Sequence, residues 1–129
     1  MYTVVHIEDN VANLKLIERI FDRRSGIQLI AANQGRMGLE LIRQNRPTMV
    51  LLDLHLPDMN GIEILSELAN DPLTASIPVV VVSADATPGQ RQRLLAAGAH
   101  SYLTKPLDIL ELLQVVDTIC DNATPRSAP

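Results

Sequence analysis

Residues Met49 to Gly61, Met-Val-Leu-Leu-Asp-Leu-His-Leu-Pro-Asp-Met-Asn-Gly, constrain the fold more than any other stretch of the chain. The apolar run is only about five residues long, which suits a buried strand better than a helix. It ends at Asp53, and a turn marked by Pro57 and Gly61 follows at once. A carboxylate is costly inside such a strand, so Asp53 is expected where the strand emerges. In open parallel α/β sheets that carboxyl edge is where ligands bind.

The rest of the chain repeats the rhythm. Thr3–Ile7 is a β-branched run stopped by Glu8-Asp9-Asn10, with Asn10 as cap of a helix carrying Leu14, Ile17 and Phe21 on one face. Arg23, Arg24, Ser25 and Gly26 close that helix, and Ile27–Ala32 is a second strand. Gln34–Gln44 is a weaker helix, since Gly35 and Gly38 lower its propensity. Asn60-Gly-Ile-Glu63 resembles a capping box, with Ile62, Leu65 and Ala69 as the expected apolar stripe behind it. Val79–Val82 is a strand covered on both faces. Thr87-Pro88-Gly89-Gln90 opens a helix, with Gln90 as capping partner, that runs to Gly98. Ala99–Leu103 is the fifth strand, stopped by Thr104-Lys105-Pro106. The last helix carries Ile109, Leu112, Leu113, Val116 and Cys120. Residues 1–122 are read as one domain and 123–129 as a tail or linker.

Five strands alternating with five helices at roughly 25-residue spacing is the pattern of right-handed βαβ units. The expected fold is therefore α/β: a flavodoxin-like (βα)5 doubly wound parallel sheet in the order 2-1-3-4-5. Its switch point lies between the first and third strands, which end in Glu8-Asp9 and in Asp53.

Composition excludes several classes. A net charge of −4 argues against unaided nucleic-acid binding. No apolar run approaches the ~18–20 residues that span a bilayer, and no basic region opens the chain as in a signal peptide. The single cysteine, Cys120, excludes an internal disulfide and fits a reducing compartment, so a cytoplasmic location is expected. Cys120 is read as packed in the core. His6, His55 and His100 are scattered over three strands or strand ends, which argues against a histidine metal site. His6 is read as a core or sheet residue, and the His55 side chain as one placed to influence an attacking water.

Taken singly, Glu8-Asp9-Asn10 is a polar turn, Lys105-Pro106 a solvated loop and Ser83 a strand-end hydroxyl. In the expected topology they meet at one rim. Three carboxylates packed together without a counter-charge repel, so at least one stays protonated or a cation joins them. Hard oxygen donors with no cysteine nearby favour Mg²⁺, or Mn²⁺, over zinc. Lys105 adds an ammonium and Ser83 a hydroxyl, which makes a site for a phosphoryl group with Asp53 as nucleophile.

From about Thr3 to Asn122 the sequence resembles the receiver domain of two-component response regulators. The resemblance rests on Glu8-Asp9, Asp53 with Pro57 and Gly61, Ser83-Ala84 and Lys105-Pro106, in this order and spacing. It implies Asp53 as phosphoacceptor, Asp9 as a direct Mg²⁺ ligand, Glu8 as a ligand through water and the His55 carbonyl as a further ligand. It also implies that Ser83 and Lys105 hold phosphoryl oxygens. Tyr102 matches the aromatic that swings inward on activation, so Ser83 and Tyr102 form the expected switch. Glu8 stands where aspartate is common and Ser83 where threonine is frequent. The implied partners are a histidine kinase or histidine phosphotransfer protein as donor. A downstream effector is expected on the face of the Pro88–Gly98 helix, the fifth strand and the last helix. The implied product is a signalling domain and not a metabolic enzyme.

Three rivals are weighed against this. A phosphohydrolase of the haloacid-dehalogenase type normally carries a second aspartate two residues after the nucleophile, where this chain has His55. A flavin module needs a phosphate-cradling first loop, and Glu8-Asp9 repels phosphate. A pseudo-receiver scaffold is not favoured, because every expected residue type for phosphorylation is present. The length is compatible with a stand-alone regulator, a phosphorelay intermediate or a receiver module severed from a hybrid histidine kinase.

Overall fold

A computed structural model describes residues 2–85 and 87–123. Five parallel strands, β1 (Tyr2–Ile7), β2 (Ile27–Ala32), β3 (Met49–Asp53), β4 (Val79–Ser83) and β5 (Ser101–Thr104), form one sheet in the order β2-β1-β3-β4-β5. The helices are α1 (Val11–Asp22), α2 (Gly35–Asn45), α3 (Gly61–Ala69), α4 (Pro88–Ala96) and α5 (Ile109–Asp121). This is the expected flavodoxin-like architecture. Of the expected tail, 124–129 lie outside the described residues.

Successive strand residues point to opposite faces, so two cores form. On one side Val5, Ile7, Val50, Leu52, Val79 and Val81 pack with residues of α2, α3 and α4. On the other Val4, Met49, Leu51, Val80, Val82 and Leu103 pack with Ile17 and Phe21 of α1 and with Leu112, Val116, Ile119 and Cys120 of α5. β3 and β4 are buried along their whole length, as their unbroken apolar runs require.

Most caps form as read. Asn10 accepts a hydrogen bond from the Asn13 amide at 3.0 Å, and Asn60 with Glu63 closes the capping box on α3. Four details differ. The inward stripe of α3 is Gly61, Ile64, Leu65 and Leu68, while Ile62 and Ala69 are exposed. Both the expected and the observed set recur at helical spacing, and packing on the α2–α3–α4 core selects the observed one. Thr87 precedes α4 without a side-chain cap bond to which Gln90 could contribute; its own amide donates to the Asp85 carboxylate at 2.9 Å, a local turn that competes with the cap. Ala99 lies in the turn that closes α4, its amide bonded to the Leu94 carbonyl at 3.0 Å next to Gly98 at φ +112°, so β5 starts two residues later. Ile109 is 44% exposed, so the buried stripe of α5 begins at Leu112.

Gly38 does more than weaken its helix. A Cβ there would lie 2.3 Å from Ile7 Cδ1, so glycine lets α2 press directly on β1. Gly61 plays the same part beside the phosphoacceptor candidate: a Cβ would fall 2.9 Å from Leu54 Cα, one residue past Asp53.

Candidate functional site

β1 lies between β2 and β3, so the chain leaves it in one direction for β2 and then crosses to the other side for β3. The loops after β1 and β3 therefore diverge and leave a crevice at the carboxyl edge. Asp53 is the last residue of β3, and Glu8-Asp9 follow β1 directly. Asp53 is 4% exposed and Glu8 3%, whereas Asp9 faces solvent. One carboxylate oxygen from each lies within 4.8 Å of the others.

Lys105 arrives from the end of β5. Its Nζ lies 3.3 Å from Glu8 Oε1 and 3.5 Å from Asp53 Oδ1. Asn13, on the first turn of α1, donates its side-chain amide to Glu8 Oε1 at 3.1 Å. The His55 amide donates to Asp53 Oδ1 at 3.3 Å, so the turn after β3 folds back on the carboxylate. Burial, and then hydrogen bonding with Asp53 and its charge, push the Glu8 carboxyl up to about 7, against the opposing pull of Lys105 and Asn13. One ammonium does not neutralise three acids. The donors are hard oxygens, partly dehydrated and short of positive charge, which fits a small divalent cation such as Mg²⁺.

Ser83 and Tyr102 are placed differently. Ser83 ends β4, fully buried, and its carbonyl accepts the Lys105 amide at 2.9 Å. Its hydroxyl oxygen accepts the Asp85 amide at 3.1 Å, which leaves the hydroxyl proton to donate elsewhere. Tyr102 is buried among the α2–α3–α4 core, and its hydroxyl donates to the Asp85 carbonyl. The two expected switch residues thus meet at Asp85 and not at the carboxylates.

Three contributors were missed from the sequence. Asn13 had a signal, being a polar residue on the first turn directly after the acidic pair. Asp85 gave only the signal of a strand-end turn. Asp58 gave none: its carboxylate accepts the Gly35 and Arg36 amides at 2.7 and 3.0 Å, capping α2 from the loop that follows Asp53. Those two amides, Arg36 first, hold the Asp58 carboxyl below its usual range. His6 is buried on β1 as expected. Behind the acids it borders, with Leu16, Ile17, Val82, Pro106 and Leu107, a cavity of about 180 Å³ that also touches Glu8, Asp53 and Lys105.

Among the described residues no helix is long and apolar enough to cross a membrane. The family model for the response regulator receiver domain matches residues 4–117. The polar-differentiation response regulator DivK of Brucella anthropi is 31% identical over 121 residues, covering 94% of this chain and 98% of DivK. The receiver domain of Francisella response regulator 1452 superposes with a TM-score of 0.88 at 27% identity, covering 96% of this chain and 100% of that one. The receiver domain of the sensor histidine kinase PA1611 of Pseudomonas aeruginosa, determined with a magnesium ion coordinated in its active-site cleft, gives 0.83 at 25% identity, covering 93% of this chain and 98% of that one. Sequence, topology and the acidic crevice agree, and the chain belongs to the response regulator receiver domain family.

Proposed function

We propose that Asp53 accepts a phosphoryl group from the phosphohistidine of a histidine kinase or histidine phosphotransfer protein. The observation that carries this is the meeting of Glu8, Asp9 and Asp53 within 4.8 Å with the Lys105 ammonium among them. An Asp53 carboxylate oxygen attacks phosphorus in line, the P–N bond to the donor imidazole breaks, and an acyl phosphate forms. Lys105 leaves its carboxylate partners to hold a phosphoryl oxygen, and Ser83 donates its hydroxyl to another. Asp9 and Asp53 would hold Mg²⁺ directly, with Glu8 through water and His55 through its carbonyl. When bound, the metal neutralises charge on the transferring group. Magnesium in the cleft of the related kinase receiver supports this assignment.

The acyl phosphate adds charge and acceptor oxygens at the rim. Ser83 turns toward them, and its bond to the Asp85 amide is lost; Asp85 in turn carries the Tyr102 hydroxyl. The reading therefore puts the output on α4, β5 and α5, where an effector protein binds. Domain limits of 1–122 and a cytoplasmic location belong to the same reading.

Incubation with Mg²⁺ and acetyl phosphate, followed by intact-mass measurement, tests it. Wild type should gain the mass of one phosphoryl group and Asp53→Asn none. Rapid turnover of many phosphoesters would identify a phosphohydrolase instead, and no gain in either protein would identify a scaffold.

A further inference from the structure

Of the three acids, Glu8 is the hardest to hold in place. It has one more methylene, and so one more free torsion, than an aspartate would have there. Yet its side chain is only 3% exposed. Among the described residues two side-chain nitrogens reach it, and both meet the same oxygen. Lys105 Nζ lies 3.3 Å and Asn13 Nδ2 3.1 Å from Oε1. The Asn10 amide is a weak third contact, 3.5 Å from Oε2.

The two side-chain donors differ in kind. The Lys105 ammonium is shared with Asp53 at 3.5 Å and ends a flexible stem. Asn13 is short, half-buried and seated on the first turn of α1, where its backbone amide is bonded to the Asn10 side chain at 3.0 Å. Its amide group is neutral, so it holds a carboxylate without repelling a cation at the same acids.

We propose that Asn13 is a positioning residue for the divalent cation. Its amide fixes the Glu8 carboxylate and goes on doing so when Lys105 turns to the phosphoryl group. This rests on the phosphoacceptor reading, in which Glu8 holds Mg²⁺ through water and Lys105 leaves the carboxylates. A bridging water needs its carboxylate oxygen in one place, and a loose glutamate would have to be ordered each time the ion enters. Hydrogen-bond partners of metal-holding groups typically carry about 10–100-fold of the affinity. If Asn13 served only the helix, its loss would not weaken the metal site. Asparagine is a poor helix former and alanine the best, so Asn13→Ala leaves α1 no weaker.

The test is a Mg²⁺ titration followed by the amide NMR shifts of Asp9 and Asp53, with no phosphoryl donor present. In the wild-type background Asn13→Ala should weaken Mg²⁺ binding about tenfold. With Glu8→Asp, whose shorter side chain draws the carboxylate back from Asn13, the same substitution should change binding by less than about twofold. With Lys105→Ala, which removes the other donor, the loss should exceed that in wild type. Amide shifts unchanged in β2 and α3 show that each variant remains folded. A loss under about twofold in wild type, an equal loss with Glu8→Asp, or a smaller loss with Lys105→Ala would overturn the role. Those outcomes leave the phosphoacceptor reading standing. Wild type that takes up no Mg²⁺ at these acids would end both.

Discussion

The two faces of the sheet do different work. Strand alternation puts Asp53 and His6 on the α1–α5 side, and Lys105 reaches the same carboxylates from the end of β5. The same alternation puts Ser83 and Tyr102 on the α2–α3–α4 side. That second side is pressed together, with Gly38 of α2 against Ile7. On the first, α1 and α5 flank a groove of about 360 Å³ bordered by Arg19, Ile20, Arg23, Arg24, Ile109 and Leu113. Under the proposed function the carboxylates sit on one face and the two switch residues, Ser83 and Tyr102, on the other. On that proposal the message would cross at the ends of β4 and β5, where the Lys105 amide binds the Ser83 carbonyl and Asp85 joins Ser83 to Tyr102.

The largest expected effect tests the chemical face. Lys105→Ala removes the one cation beside Glu8 and Asp53 among the described residues, and phosphorylation by acetyl phosphate should slow by about 100–1000-fold. A change under tenfold would show that the ammonium is only a structural counter-charge. On the packed face, Gly38→Ala should destabilise the protein in urea by about 1–2 kcal/mol, because overpacking against Ile7 outweighs the gain in helix propensity. Adding Ile7→Val, which removes the clashing Cδ1, should recover part of that loss. Tyr102→Phe should cost about 1 kcal/mol through the lost bond to the Asp85 carbonyl, yet leave phosphoryl uptake within about twofold. An uptake rate that fell with it would erase the division between the faces.

The subtlest effect is in pH, measured in EDTA. Glu8 is raised from 4.5 to about 7, so the folded state holds its proton longer and stability falls as pH rises through that window. His6 is lowered from 6.5 to about 4, so the unfolded state binds the extra proton and stability rises with pH over that range. Between about pH 4.5 and 6.5 the two oppose each other, and wild-type thermal stability should be nearly flat. Glu8→Gln should unmask a rise with pH, and His6→Leu a fall. If both variants track wild type, the two groups are not titrating against each other.

How much of this was legible depended on how local the signal was. The Asp53 strand, the four valines, and the Asn10 and Asn60 caps were readable because burial period and cap chemistry act within a few residues. The convergence of Glu8, Asp9, Asp53 and Lys105 was readable only through topology, since parallel strands bring their carboxyl ends to one edge. The α3 stripe was misread because Ile62, Leu65 and Ala69 also recur at helical spacing, and only packing against the sheet decides which face turns inward. Asp58 was invisible because its partners are backbone amides more than twenty positions away.

The sequence by itself determined the elements, their order and the types of charge at each strand end, because hydrophobic period and turn chemistry are properties of neighbouring residues. Only the tertiary structure decided that Gly38 is a contact and not a weakness, that Glu8 is buried enough to hold its proton to about pH 7, and that His6 Nδ1 is buried without a hydrogen-bond partner among the described residues. Those outcomes depend on what lies across the sheet, and distance through space is not written along the chain.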